Sequence, residues 1–197
     1  MAFLDDLDFL KSAQKPGQFP ADSGREVAFA GRSNSGKSSA INAIVSRRGL
    51  ARTSKTPGRT QLINFFDAGS AGRIVDLPGY GYAKVSEAVR ERWRILLEAY
   101  FCERRSLSGL FVTVDIRRGL RDLDEVMLAW AEDAGVPAAI LLTKADKLSR
   151  GAGMAQRREI AAGLTEDLPL ILFSAPRRTG VEEAREQLLG WLREDRP

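Results

Sequence analysis

The stretch EVAFA followed at once by GRSNSGKSS, residues 26–39, restricts what this chain can fold into more than any other part of it. An apolar run of strand length ends in a loop that carries glycine at 31 and 36, and a helical pattern opens near Lys37. The loop satisfies G-x-x-x-x-G-K-[ST], and the strand before it and the helix after it are the context that pattern requires. Gly31 and Gly36 let the backbone curl so that successive amides, those of Asn34 to Ser39 among them, aim at phosphate oxygens beside the positive end of the helix. Lys37 then bridges the terminal phosphates and the Ser38 hydroxyl serves Mg²⁺. Gly31, Arg32, Ser33, Asn34, Ser35, Gly36, Lys37, Ser38 and Ser39 are the first nucleotide-binding candidates.

The length of 197 residues suits one domain with a full core. Residues 1–24 stand apart as an N-terminal extension and linker, a short acidic amphipathic piece followed by KPGQFPADSG, and the domain spans 25–197. Strands are expected at 26–30, 61–68, 73–76, 109–115, 138–143 and 170–174, with helices opening near Lys37, Ser86, Asp122, Gly153 and Val181. Several strands are continuous apolar runs, which buries both faces of a mostly parallel sheet between helix layers. Only GSAG separates 61–68 from 73–76, too little for a crossover helix, so that pair forms an antiparallel hairpin. The expected fold is therefore α/β: a three-layer domain whose six-stranded, mostly parallel sheet has one antiparallel edge strand and helices on both faces.

Composition narrows the chemistry. With no histidine and one cysteine, an internal disulfide, a Cys/His pair and a histidine-ligated metal are all excluded, and any metal must be held by oxygen. Cys102, at the end of an amphipathic stretch, reads as a half-buried filler, and Trp93 as packing within the stripe Val89, Trp93, Leu96, Leu97, Tyr100, Phe101. No apolar stretch has membrane-spanning length and the acidic N-terminus does not resemble a secretory signal, so an intracellular, cytoplasmic protein without membrane contact is expected. The formal charge of +4, with arginine far outnumbering lysine, fits a polyanionic partner such as RNA.

Three further motifs follow the phosphate loop in order. Asp76, ending RIVD, is placed to hold Mg²⁺ through water, and within Asp76-Leu77-Pro78-Gly79 the Gly79 amide is offered to the γ-phosphate. Between the two phosphate motifs lies ARTSKTPGRTQ, a loop of the kind that orders around γ-phosphate and metal. Thr60 supplies the second metal hydroxyl on this reading, with Thr56 as competitor, and Gly58, Arg59, Thr60, Gln61 and Leu62 join the nucleotide candidates. The third motif is TKAD: Asp146 accepts both guanine N1–H and the exocyclic amine, a pair adenine does not present, while the stem of Lys144 covers the base. Thr143, Lys144, Ala145 and Asp146 are joined by Phe173, Ser174 and Ala175, whose last amide lies near guanine O6.

The ordered set GRSNSGKS, TPGRTQ, DLPGYGYA, TKAD and FSA resembles a translation-factor-class GTPase, and YGYA together with SKTPGRTQLINFF is similar to the EngB (YihA/YsxC) family of bacterial ribosome-assembly GTPases. The resemblance covers essentially all the chain from Arg25. It implies phosphate binding by Gly31 to Ser38, Mg²⁺ at Ser38 and Thr60, γ-phosphate sensing from Asp76 to Gly79, and guanine contacts from Thr143 to Asp146 with Phe173 to Ala175. It also implies a role in late maturation of the large (50S) ribosomal subunit, in contact with its precursor particle, and a link to septation. Thr143 stands where many relatives have asparagine, which predicts modest nucleotide affinity.

Three functions compete on this reading: a GTP-hydrolysing assembly factor, a septal or other protein-binding switch, and a P-loop phosphotransferase with RRGLR, residues 117–121, as its lid. TKAD and the hairpin argue against the last. In the first, water attacks the γ-phosphate in line, with Lys37, Thr60 and Gly79 as the groups nearest the reaction. Tyr80 replaces the water-positioning glutamine after Gly79, so hydrolysis should be slow and Gly81 should act as the hinge. Asn34 resembles residues that ligate K⁺ beside the β- and γ-phosphates, which makes K⁺ a second expected cofactor. A monomer is the expected state.

Overall fold

The computed structural model describes residues 7–51, 62–81, 86–165 and 167–193 of the 197. Its strands are β1 (Asp8–Ala13), β2 (Glu26–Gly31), β3 (Ile63–Asp67), β4 (Arg73–Asp76), β5 (Leu107–Asp115), β6 (Ala138–Thr143) and β7 (Leu170–Leu172). The helices are α1 (Lys37–Ile44), α2 (Glu87–Glu103), α3 (Asp122–Asp133), α4 (Arg150–Ala162) and α5 (Val181–Arg193). One sheet runs β1-β3-β4-β2-β5-β6-β7. From β4 through β7 every neighbour is parallel, while β3 is antiparallel to both β4 and β1.

Alternate residues of each strand serve opposite faces, and both faces are apolar. Val27 and Phe29 of β2, Ile74 of β4 and Phe111 of β5 pack with Ile41 and Ile44 of α1 and Leu188 and Trp191 of α5. Ala28, Ala30, Val75, Leu110 and Val112 face the other way, onto Leu97 and Tyr100 of α2, Met127 of α3 and Ile160 of α4. Two-sided burial is why the sequence shows continuous apolar runs, as expected for strands covered by helices on both faces. Loops at the carboxyl ends of parallel strands then gather on one edge, where such folds bind ligands.

Two expectations change. The sheet has seven strands, because Asp8–Ala13, within the segment read as extension and linker, pairs with β3. The reversed strand β3 is accordingly not the edge; β1 covers it. As an edge strand with Phe9 and Leu10 exposed, β1 buries only its last residue, Ala13, so it lacks the apolar run that marks its neighbours. The following linker is also built in. Phe19 packs at 5.9 Å from the Phe65 ring and 5.8 Å from Tyr100, and Asp22 accepts from the amides of Arg105 and Ser106.

Smaller corrections concern α4, which begins at Arg150, three residues before Gly153, with Ser149 Oγ accepting from the Ala152 amide as its cap, and Cys102, which is exposed. Trp93 packs on the core as expected, its ring edge-on to Tyr80 at 5.9 Å. No described helix is long and apolar enough to cross a membrane.

Candidate functional site

Strand β2 delivers the phosphate loop to the sheet edge and α1 leaves from it. Gly31 lies so close to β5 that a Cβ there would stand 2.0 Å from Thr113 Oγ1, which no side chain tolerates. Gly36, with φ 101°, makes the left-handed turn into α1 that a residue with a side chain resists. Beneath the loop, Ser35 Oγ and Thr113 Oγ1 are 2.7 Å apart, and Thr113 donates to the Ala30 carbonyl at 3.0 Å. The loop is thus held from below by Thr113, a buried polar residue of β5, a role that sequence periodicity alone does not assign.

At the mouth of the loop Lys37 Nζ bonds the Asp76 carboxylate, and both residues are buried. Ser38, the next residue, is half-buried at the start of α1. This hydroxyl and carboxylate are hard oxygen donors of the type Mg²⁺ takes, and Mg²⁺ bound with phosphates needs only one or two such protein groups. Ser38 and Asp76 therefore fit the metal role. Gly58, Arg59, Thr60, Gln61 and the alternative Thr56 lie outside the described residues; Leu62 is described, half-buried and just before β3.

The segment after β4 runs directly along the phosphate loop. Leu77 N donates to Phe29 O at 3.0 Å, Ser33 N to Tyr80 O at 2.8 Å, and Tyr80 N to Gly31 O at 3.3 Å. Gly79 lies against Ser33: a Cβ at 79 would be 3.3 Å from Ser33 Oγ, a buried hydroxyl without a hydrogen-bond partner. Tyr80 is buried and its hydroxyl donates to Asp124 Oδ1 of α3 at 2.6 Å. Burial raises the Tyr80 phenol well above its ordinary value, as does the adjacent Asp124 charge. Tyr80 therefore anchors the segment after β4 to α3, with its hydroxyl proton committed to Asp124. Burial likewise raises Asp124, against the opposing bond from Tyr80.

The base-side elements meet the loop from β6 and β7. Thr143 Oγ1 reaches both the Ser35 carbonyl and, at 3.0 Å, that of Val114, so its single hydroxyl proton ties the loop to β5 and β6. Lys144, at φ 58°, sends its ammonium to Asn34 O at 2.6 Å and Asp115 Oδ2 at 3.0 Å. Burial of Asp115 works against its charge, yet hydrogen bonds from Arg117 and Lys144 hold it well below the usual carboxylate range. Asp115 thus fixes Lys144, a contribution whose sequence signal was only its place at a strand end. Asp146 Oδ1 accepts from Ser174 Oγ at 2.7 Å, and that bond lowers its pKa. Ala145 N donates to Phe173 O at 3.1 Å, joining TKAD to FSA, and Ala175 continues from Ser174 at the same edge.

The loop of residues 31–38, Asp76 to Gly79, and the residues from Thr143 to Asp146 and Phe173 to Ala175 are thus brought to one edge of the sheet. The arginines of RRGLR divide: Arg117 is bound to Asp115 at 2.7 Å, while Arg118 and Arg121 line a cavity beside the loop.

Comparison with known proteins agrees with this geometry. Residues 26–144 match a family model described as "50S ribosome-binding GTPase". The chain is 48% identical over 192 residues to a "Probable GTP-binding protein EngB" of Escherichia coli O157:H7, covering 96% of this chain and 91% of the relative. It is 50% identical over 190 residues to the protein of that name from Coxiella burnetii, covering 95% and 93%. Among solved structures, a probable GTP-binding protein engB superposes with TM-score 0.71 at 22% identity, covering 86% of this chain and all (100%) of the other. A bacterial selenocysteine-specific elongation factor gives TM-score 0.64 at 21% identity over 88% of this chain and 29% of the factor, which speaks to the fold alone.

Proposed function

Since the chain belongs to the EngB family of P-loop GTP-binding proteins, we propose that it is a slow GTP-hydrolysing switch that docks on the precursor of the large ribosomal subunit and supports its assembly. The observation that carries the reading is the convergence on one sheet edge of Lys37, Ser38, Asp76 and Gly79 with Lys144, Asp146 and Ser174. The first group suits a triphosphate and its metal, and the second suits guanine. The description of the matching family model and the basic charge of +4 support the ribosomal partner.

In this reading the amides from Asn34 to Ser39 hold the phosphate oxygens, and Lys37 exchanges Asp76 for the β- and γ-phosphates. Asp76, so released, would hold Mg²⁺ together with Ser38 and Thr60, and the metal would neutralise charge on the phosphates. Gly79 presents its amide to the γ-phosphate, and a change there is passed along the Gly79–Tyr80 backbone to Ser33 and α3. With the Tyr80 hydroxyl committed to Asp124, no side chain at that position orders the attacking water, which is the physical reason for a low rate. Asn34, exposed with φ 65°, is the proposed K⁺ contact. K⁺ should stimulate hydrolysis more than Na⁺ does, and equal rates in both salts with Asn34→Ala matching the parent would remove it.

The protein acts in this account as a cytoplasmic monomer with a role in septation. Co-sedimentation with large-subunit particles, compared between GDP and a non-hydrolysable GTP analogue, tests the role. The reading expects binding in one state only; no binding in either state at moderate salt would defeat its ribosomal half.

A further inference from the structure

Beside the phosphate loop, on the side of α3, lies a cavity of about 340 Å³. Arg32 enters it from the phosphate loop, Arg118 from the turn after β5 and Arg121 from the start of α3. Among the described residues none of these guanidiniums makes a direct hydrogen bond or close ion pair to a carboxylate, although the Arg32 charge acts on Asp124 from a longer distance. The two acids of the cavity are already engaged: Asp115 by Arg117 and Lys144, and Asp124 by the Tyr80 hydroxyl and the Arg121 amide. Elsewhere Arg94, Arg104, Arg178 and Arg185 each hold a glutamate. Solvated arginines do occur on other faces; these three differ in converging on one concavity.

A planar guanidinium fork suits phosphate oxygens, and three forks around one hollow with its own acids occupied leave a local surplus of positive charge. We propose that this cavity binds a phosphate of an RNA backbone, and so is the face the protein turns to an RNA-containing partner. A polymer is favoured over a small anion because Arg118 and Arg121 are exposed, so the ligand lies across the surface and is not enclosed. The chain's +4 charge favours the approach of an extended polyanion. The position also gives RNA access to the nucleotide loops. Arg32 is itself part of the phosphate loop, its guanidinium lies against Gly81, and Asp124 holds Tyr80. An anion held here therefore touches the two elements that follow the γ-phosphate.

This inference rests on the proposed reading for its partner, and its test separates the two. Fluorescence anisotropy of a labelled RNA hairpin is measured with the full chain loaded with GDP, over a salt series, for the parent and for an Arg118→Ala/Arg121→Ala variant. Their links to Asp115 and Asp124 run through backbone amides, which alanine keeps, so GDP affinity should be unchanged. RNA affinity should fall roughly tenfold, and the slope of log K against log salt should drop by about 2. Arg150→Ala/Arg158→Ala, which removes two exposed arginines of α4, serves as the charge-matched control and should keep the parent slope. Equal losses in the two variants, or none in the first, would overturn the assignment. So would binding of inorganic phosphate or of polyglutamate that depends on Arg118 and Arg121 while RNA binding does not. If arginine-dependent RNA binding is found but the parent never binds ribosomal particles, the cavity assignment stands and the ribosomal reading fails.

Discussion

Strand β2 has a buried ion pair at each end, and the two are built for opposite purposes. At its start Glu26, fully buried, accepts from Arg104 at 2.6 and 3.0 Å, from Arg73 at 3.0 Å and from the Tyr100 hydroxyl at 3.2 Å. Arg104 in turn donates to the carbonyls of Pro20 and Ala21 and lies 5.9 and 5.7 Å from the rings of Phe19 and Phe65. Past its other end Lys37 and Asp76 are buried as well, but each holds the other's charge with little else. The first pair has its acceptors filled and locks the N-terminal segment to the sheet. The second is held so that phosphate and metal can separate it.

The largest effect should follow from breaking the lock. Arg104→Ala removes two of the bonds to the fully buried Glu26 and leaves it, among the described residues, with Arg73 and the Tyr100 hydroxyl; it should cost about 3 kcal/mol in denaturant unfolding, while the fraction still folded keeps its GDP affinity. A loss under 1 kcal/mol, the level of a surface pair, would erase the contrast. Lys37→Ala should invert the pattern. The stability loss should be smaller, about 1–3 kcal/mol, while GTP turnover falls by roughly 10²–10³. Turnover near the parent rate would show that Lys37 is scaffold too.

Tyr80→Phe should be milder, about 1–2 kcal/mol, because one hydrogen bond to a buried carboxylate is lost and the ring still fills its place against Trp93. The sign of its pH dependence follows from Asp124. A carboxyl raised in the folded state contributes most below its ordinary value and loses that contribution as pH rises through the folded one. The Tyr80 bond opposes the rise, so its removal lifts Asp124 further. The penalty of Tyr80→Phe should therefore grow between about pH 4 and neutrality, and a penalty independent of pH would show that the two groups are not coupled.

The contrast between the two ends of β2 also marks what sequence could convey. The phosphate loop, Asp76 to Gly79 and TKAD were legible because their chemistry needs particular residue types at fixed spacing beside a strand, and two-sided burial left apolar runs for β2, β5 and β6. The edge strand β1 was not legible, since a strand buried on little of its surface imposes no apolar pattern on Asp8–Ala13. Nor was the lock: Glu26 and Arg104 are separated by 78 positions, and nothing local in either shows the pairing. Thr113, Asp115 and Asp124 support the site from elements read only as core strand or helix start. Tyr80 was legible as a missing glutamine, but its bond to Asp124 was not.

The most direct test of the guanine-nucleotide assignment is the base preference of Asp146→Asn. A carboxylate accepts from both the N1–H and the exocyclic amine of guanine, whereas an asparagine amide accepts from N1–H and donates to the 2-carbonyl of xanthine. The account predicts that the parent binds GDP and rejects both ADP and xanthosine diphosphate, and that Asp146→Asn loses GDP and gains xanthosine diphosphate. Retention of GDP affinity by the variant, or comparable binding of ADP by the parent, would contradict it.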